Sequence, residues 1–405
     1  MNVNLKILFV LGFPNPFPGA AWTRVGFFAT QWSKRGHLIE VLGAFGYRSL
    51  RKRGVRKVEN VNIFNIIPNV GVVSPLAFVS NTLISFLVSV IFLLIRKPNI
   101  IIISVPPGDV GIGAIMACKL LRVKYVIDYR DEWEDYMVSL TNSRSKKLFY
   151  SILKKFLTSI YARSHLIITV TPDFACSLKR RGLINVRLIP NGADTRVFKK
   201  YDKILIRKKL GFNDDDFIIV YNGLIGWYYK LDTIIKALTK LSQKIENIKF
   251  LIIGEGPDIP RIFALSNGLN IREKVLYLGV KNDKKEIAEI LSACDVGIIP
   301  GLYSKGQLPV KFFEYSACEL PTIATIYPDS LLARLIEMYE LGIVVPPMDE
   351  NKLTEAIYYI YKDKYFRMMA GRRARLFVEK GFNRNKIADD FLKLIENMLY
   401  GNHIM

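Results

Sequence analysis

The chain has 405 residues, half of them apolar and 12% aromatic, enough for two or three domains with a sizeable core. It has no low-complexity tract, which excludes a disordered chain. The net charge is +22 and uneven, with 27 Lys and Arg against 10 Asp and Glu in residues 1–197 and 31 against 26 in the rest. A basic first half selects an anionic partner: acidic lipid, nucleic acid or a polyphosphate substrate.

Lys6–Leu11 reads as a short apolar strand, too weakly flanked for a signal peptide. Helix-spaced Val25, Phe28, Ala29 and Trp32 follow, with Gly36 as the stop. Further strands are expected at Ile39–Leu42, Val61–Ile66, Ile100–Val105, Tyr125–Asp128, Leu166–Val170 and Val186–Ile189. Short, almost charge-free and β-branched, they suit a parallel sheet buried on both faces. A second series runs through Phe217–Tyr221, Lys249–Ile253, Val275–Tyr277, Val296–Ile299, Thr322–Thr325 and Ile343–Val345, with a helix-length segment in each interval.

Two successive βα series predict an α/β protein of two doubly wound, Rossmann-like domains. Residues 1–198 form the first and 199–380 the second, divided where apolar periodicity stops near Lys199–Lys208. Residues 381–405 carry a last helix, Asn385–Tyr400, which no strand follows and which must pack on something already built.

Leu76–Ile95 is twenty residues without a charge, long enough to span a bilayer. Asn81, Ser85 and Ser89 recur every four residues and give it a polar face. That pattern favours a buried or interfacial helix over a transmembrane span. Two basic clusters flank the region. One is Arg48, Arg51, Lys52, Arg53, Arg56 and Lys57. In the other, Lys146, Lys147, Lys154 and Lys155 interleave with Phe149, Tyr150, Ile152, Leu153 and Phe156. The second set suits an amphipathic helix on an anionic membrane, or a solvated helix packed on its own domain.

The four cysteines are scattered without a CxxC, so neither a disulfide framework nor a zinc site is expected, and a reducing cytosol fits. His37, His165 and His403 are the only histidines, and none stands beside a nucleophile. Triad hydrolysis and histidine-based metal chemistry are thereby disfavoured.

Candidate sites fall at strand ends. The first βα turn, Gly12 to Ala21, lacks GxGxxG but places Gly19 and Ala20 at a helix start suited to an anion. Asp128, Arg130, Asp131 and Trp133 follow a strand and could grip hydroxyls and stack on a sugar. Asn191-Gly192-Ala193-Asp194 is a polar turn. Gly254 and Gly256 permit close approach of a base or phosphate. The densest stretch runs from Ser304 to Tyr315. There Pro309 suits a first helical turn, Lys311 adds a cation, and Glu314 lies one turn on, so both side chains can face one ligand.

The run GQLPVKFFEYSACELPTIAT (Gly306–Thr325) resembles the donor-site signature of the retaining, GT-B-fold glycosyltransferases of family 4 (group 1). It looks closest to the subgroup that builds cell-surface polysaccharide from N-acetyl-aminosugar donors. IPNGADTRVF (Ile189–Phe198) looks like the family's interdomain segment. IIGEGP (Ile252–Pro257) and VLYLGV (Val275–Val280) look like its base-binding loops, and DYRDEW (Asp128–Trp133) is similar to the subgroup's Asp-x-Arg-Asp-x-Trp.

The resemblance implies two domains facing a cleft, with the last helix crossing back onto the first. It implies a nucleotide-sugar donor, UDP-linked by preference, and a lipid-linked or saccharide acceptor at the cytoplasmic membrane face. The enzyme would be peripheral on an anionic membrane, with no nucleic-acid partner, no cofactor and no metal. Glu314 would bind the ribose; Lys311 and Gln307, Leu308, Pro309 and Val310 the diphosphate; Val280 the base. Gly223, Gly254 and Gly256 would line the donor site, and Asn191 and Gly192 would sit near the cleft. Lys311, with Lys230 or Arg130, would stabilise the leaving diphosphate during front-face attack; Asp131 completes the catalytic candidates.

The sequence departs from the family pattern at four places. The usual first glutamate falls on Gly306, the arginine of the phosphate site on Leu224, the following lysine on Tyr229, and the second glycine of the first loop on Ala20. Competing readings are a sugar-nucleotide epimerase, a non-catalytic membrane adaptor with the same fold, and a nucleic-acid binder.

Overall fold

The computed structural model describes residues 4–17, 19–71, 74–139, 142–301 and 305–401, so Pro18, Ser304 and His403 lie outside the described residues. The chain divides into two compact units, residues 1–190 with 388–405, and residues 191–387.

Unit 1 alternates strand and helix: β1 (Lys6–Leu11), α1 (Ala20–Ser33), β2 (Leu38–Phe45), β3 (Gly54–Val58), β4 (Val61–Pro68), α2 (Pro75–Arg96), β5 (Ile100–Val105), α3 (Gly108–Leu121), β6 (Tyr125–Tyr129), α4 (Trp133–Ser139), α5 (Arg144–Tyr161), β7 (Leu166–Thr169), α6 (Pro172–Arg180) and β8 (Val186–Leu188). The strand order is β3-β4-β2-β1-β5-β6-β7-β8. All pairs are parallel except β3 with β4. The run at residues 100–105 is buried throughout, as a central parallel strand requires. β3 was not foreseen: it lies inside the first basic cluster, and Arg56 and Lys57 mark an edge strand rather than a buried one.

Unit 2 continues with α7 (Lys203–Leu210), β9 (Phe217–Asn222), α8 (Leu231–Leu241), β10 (Ile248–Ile253), α9 (Ile259–Gly268), β11 (Val275–Tyr277), α10 (Lys284–Ala293), β12 (Val296–Pro300), α11 (Val310–Ala317), β13 (Thr322–Thr325), α12 (Leu331–Met338), β14 (Gly342–Val345), α13 (Glu350–Lys362) and α14 (Lys364–Gly381). Its all-parallel order is β11-β10-β9-β12-β13-β14. Both units are thus the doubly wound α/β class that the two βα series imply.

The boundary corrects the sequence expectation. It falls after Pro190 rather than at 198/199, because the segment beyond Pro190 is built into unit 2. Ala193 and Phe198 are buried in the core of that unit, and the Ala193 amide donates to the Phe382 carbonyl at 3.1 Å. The second unit likewise runs to Ile387 rather than 380. The last helix, α15 (Arg384–Tyr400), begins in unit 2 and belongs to unit 1 from Ala388 onward. Within unit 1, Phe391 packs on Trp32 and Phe28, and the Trp32 indole donates to the Ala388 carbonyl at 3.0 Å.

Candidate functional site

In unit 2 the strand order reverses direction between β9 and β12, the switch point at which open α/β sheets hold ligands. β9 ends there in Asn222, followed by Gly223, and α11 starts there with Lys311 in its first turn. Pro309 is the N-cap of that helix, one place before the first turn expected for it.

Lys311 is 9% exposed, and among the described residues its Nζ has no hydrogen-bond partner. The ammonium lies 4.0 Å from the centre of the Tyr221 ring and 5.0 Å from that of Tyr229. Burial pushes the Lys311 amine down to about 7, with the Glu314 carboxylate opposing the shift. A β-carbon on Gly223 would stand 2.9 Å from this Nζ, so the cation sits directly against the loop that leaves β9. The pair is therefore not the surface ion pair that an i,i+3 spacing more often forms.

Glu314 is 3% exposed. Asn222 donates to its Oε2 at 3.3 Å, and Lys284 of α10 pairs with its Oε1 at 3.4 Å. The Tyr315 hydroxyl accepts the Asn222 amide at 2.8 Å and fixes the end of β9 to α11. Burial raises the Tyr315 phenol, which stays neutral. The sequence pattern does not mark Tyr221, Asn222 or Lys284 as site residues, and it marks Tyr229 only as the place of a lost lysine.

The glycines act differently from expectation. Gly254 has φ +134, and a β-carbon there would stand 1.9 Å from the Gly223 carbonyl oxygen. At Gly256 it would stand 1.9 Å from the Ile225 carbonyl oxygen. What stands where a side chain on these glycines would be is the neighbouring backbone; they let two loops lie in contact. The Gly254 amide donates to Gly279 at 2.9 Å, which brings the exposed Val280 next to this layer. Gly254→Ala should lower the melting temperature by about 10 °C, from about 2–4 kcal/mol of overlap and strain. Gly268→Ala, in open space, should shift it by no more than about 3 °C. Differential scanning fluorimetry distinguishes them.

Leu308 is buried in the core, so only its backbone can serve a phosphate; Gln307, Pro309 and Val310 are half-buried. Lys230 caps α8 in the left-handed conformation (φ +55) with its ammonium over the Trp227 ring. Leu224 is exposed. Gly192 is fixed by backbone: a β-carbon on it would stand 2.1 Å from the Phe382 carbonyl oxygen, and its own carbonyl accepts from Arg384. Its smallness thus has a packing cause, and Asn191 beside it is half-buried.

In unit 1 the switch lies between β1 and β5. Gly19 and Ala20 open α1 there, exposed and without a side-chain cap. Asp128 and Trp133 do not face solvent as expected. Asp128 forms a buried ion pair with Arg24 at 3.1 Å, both side chains 2% exposed, and accepts the Ser104 hydroxyl at 3.0 Å. Arg24 also donates to the carbonyls of Ile189 (2.8 Å) and Pro190 (3.0 Å). Trp133 stacks on Phe78 and presses on Gly108, where a β-carbon would be 2.2 Å from its ring. Polar type and strand-end position suggested a sugar platform, but both side chains turn into the domain.

Arg130 donates from Nε to Ser104 at 2.7 Å and from its guanidinium to the Pro106 carbonyl. Burial pushes it down to about 10, against the pull of Asp128. Asp131 is half-buried and accepts the Glu132 amide at 2.9 Å.

Solved structures share the whole architecture. A sucrose-phosphate synthase from Thermosynechococcus elongatus superposes with a TM-score of 0.80 at 18% identity, over 98% of this chain and all of that one. The Anabaena protein HepE, in complex with UDP-glucose, gives 0.73 at 16% over 97% of this chain and all of its own. At such identities the likeness establishes the fold, which is GT-B. Residues 21–197 match the family described as Glycosyltransferase Family 4, and residues 202–377 match Glycosyl transferases group 1. With both halves matched in order, the chain belongs to the group 1, family 4 glycosyltransferases.

Among curated relatives, the N-acetyl-alpha-D-glucosaminyl L-malate synthase of Bacillus anthracis is 23% identical over 59% of this chain and 60% of its own length. A GDP-mannose-dependent monoacylated alpha-(1-6)-phosphatidylinositol monomannoside mannosyltransferase of Corynebacterium glutamicum is 27% identical over 47% and 51%. The chain thus spans a little over half the length of these relatives.

Proposed function

We propose that the chain transfers a sugar, with retention of anomeric configuration, from a UDP-linked donor to a lipid-linked or glycan acceptor at the cytoplasmic face of a membrane. One observation carries the reading: the Lys311 ammonium, buried and without an acceptor among the described residues, lies against Gly223 beside the Glu314 carboxylate. A buried cation without a partner is costly. A diphosphate over Gly223 would offset that cost, and Glu314 would take the ribose hydroxyls.

The loss of the usual arginine at Leu224 and lysine at Tyr229 leaves Lys311 as the chief cation for the leaving group. Lys230 and Arg130 are the proposed auxiliary cations, and Asp131 a proposed acceptor-side group. Val280 and the Gly254 layer would meet the base. The leaving diphosphate would take the acceptor proton, so neither a protein base nor a bound metal is needed. The UDP-glucose complex of a structural neighbour supports the choice of nucleotide; the relative named for a phosphatidylinositol monomannoside supports the acceptor class.

The adaptor reading keeps its support from Gly306, Leu224 and Tyr229. Calorimetry against UDP, GDP, CDP and ADP decides, with donor hydrolysis as the readout of chemistry. UDP should bind, and Glu314→Ala should weaken it about 10-fold or more. Binding without any turnover of a UDP-sugar would favour the adaptor, and no binding at millimolar nucleotide would overturn the donor site.

A further inference from the structure

Helix α2 buries a polar stripe together with Phe78, Phe92 and Leu93 and leaves an apolar stripe outside. Helices on soluble domains turn an apolar stripe to the core. In α2 the polar stripe is the inner one: Asn81, Ser85 and Ser89 are at most 1% exposed. Asn81 donates to Asp109 at 2.9 Å and Ser85 to the Val110 carbonyl at 2.8 Å. Gly113 of α3 lets the two helices touch, since a β-carbon there would stand 2.5 Å from the Thr82 carbonyl oxygen. The outer stripe is Leu76, Leu83, Leu87, Ile91, Leu94 and Ile95, each 52–76% exposed.

Helix α5 shares the core on this side of the sheet, where Phe149 meets Phe78 edge to face. It exposes a second stripe, Leu148, Ile152 and Phe156, flanked by exposed Arg144, Lys146, Lys147 and Lys155. Across α2, α3 and α5 the single carboxylate is Asp109, which is fully buried.

We propose that these two stripes form a lipid-contacting face, with α2 lying in the plane of an anionic bilayer at the headgroup boundary rather than crossing it. The inference deepens the membrane-side reading of the proposed function and rests on it. The occupant is set by charge. A symmetric contact with a second copy would bring the patch against itself, cation to cation. An anionic lipid surface takes both the apolar stripes and the lysines beside them. Hydrogen bonds from Asn81 and Ser85 to α3 tie the first half of α2 to the domain, and Phe92 and Leu93 hold its second half in the core, which suits insertion by one face.

The test is flotation of the full chain with vesicles of phosphatidylglycerol and phosphatidylethanolamine, against phosphatidylcholine alone. The wild type should float with the anionic vesicles. Leu83→Gln/Leu87→Gln/Ile91→Gln should partition about 100-fold less, and Lys146→Glu/Lys147→Glu/Lys155→Glu should lose the preference for anionic lipid. Both variants change exposed residues and should keep the wild-type melting temperature.

As a second measurement, Leu87→Cys in a Cys176→Ser background, labelled with a polarity-sensitive dye, should shift to the blue on adding anionic vesicles. Wild-type flotation by the glutamine variant, an unshifted dye, or a lipid-free dimer that the glutamine variant dissociates would each overturn the proposal. UDP binding is measured separately without lipid. Its loss would sink the donor reading alone, whereas intact UDP binding with no lipid binding would sink this one alone.

Discussion

Lys311→Met should lower kcat/KM about 100–1,000-fold while raising the melting temperature. The first effect is that expected for removing one preorganised charge from a developing anion, about 3–4 kcal/mol. The second follows from burial. In the free protein the ammonium is enclosed without an acceptor among the described residues, so its replacement by an apolar chain of similar length relieves a cost. The signs with pH are separable. The amine titrates near 7 when folded, against 10.5 for the ordinary side chain. It therefore destabilises the fold fully below pH 7, and the penalty fades as pH rises toward 10.5. The stability gained by methionine should be largest below pH 7 and shrink above it.

Nucleotide binding should respond in the opposite sense. A diphosphate needs the protonated amine, so UDP affinity should fall as pH rises above 7, by up to about tenfold per unit. The methionine variant should show no such slope. Calorimetry in two buffers of different ionisation heat counts the proton taken up; equal uptake by wild type and variant would remove Lys311 from the site.

The other large effect belongs to the Arg24–Asp128 pair. Asp128→Leu leaves a guanidinium buried beside β6 without its counter-charge, and Arg24→Met leaves a carboxylate and the Ile189 and Pro190 carbonyls wanting donors. Each single change should cost about 3–5 kcal/mol. The double variant should be less destabilised than the sum of the two, with a coupling of at least about 2 kcal/mol. Urea unfolding of the four proteins measures it. Additive losses would mean that the two charges do not depend on each other.

The fold was legible because parallel strands buried on both faces leave an unambiguous trace: runs such as Ile100–Val105 and Phe217–Tyr221 carry no charge at all. β3 left no such trace, since an edge strand keeps its lysine and arginine in water. The unit boundary was misplaced because Ala193 and Phe198 acquire their partners from residues far along the chain. At the donor site, Lys311 and Glu314 were visible through helical spacing. Tyr221, Asn222, Tyr229 and Lys284 join them only in three dimensions, from 30 to 92 positions away. Asp128 and Trp133 show the converse. A sequence displays what a side chain is made of but not which way it points, and both turn inward.

The path of α15 bears on the order in which the protein can be made. A ribosome releases residues 191–387, a whole compact unit, before it has finished residues 388–401, whose Phe391 completes the packing around Trp32. Domains emerging from the ribosome generally close from the N-terminal end. Here the unit that starts first must wait for the last turns of helix, holding the indole of Trp32 uncovered through the synthesis of its neighbour.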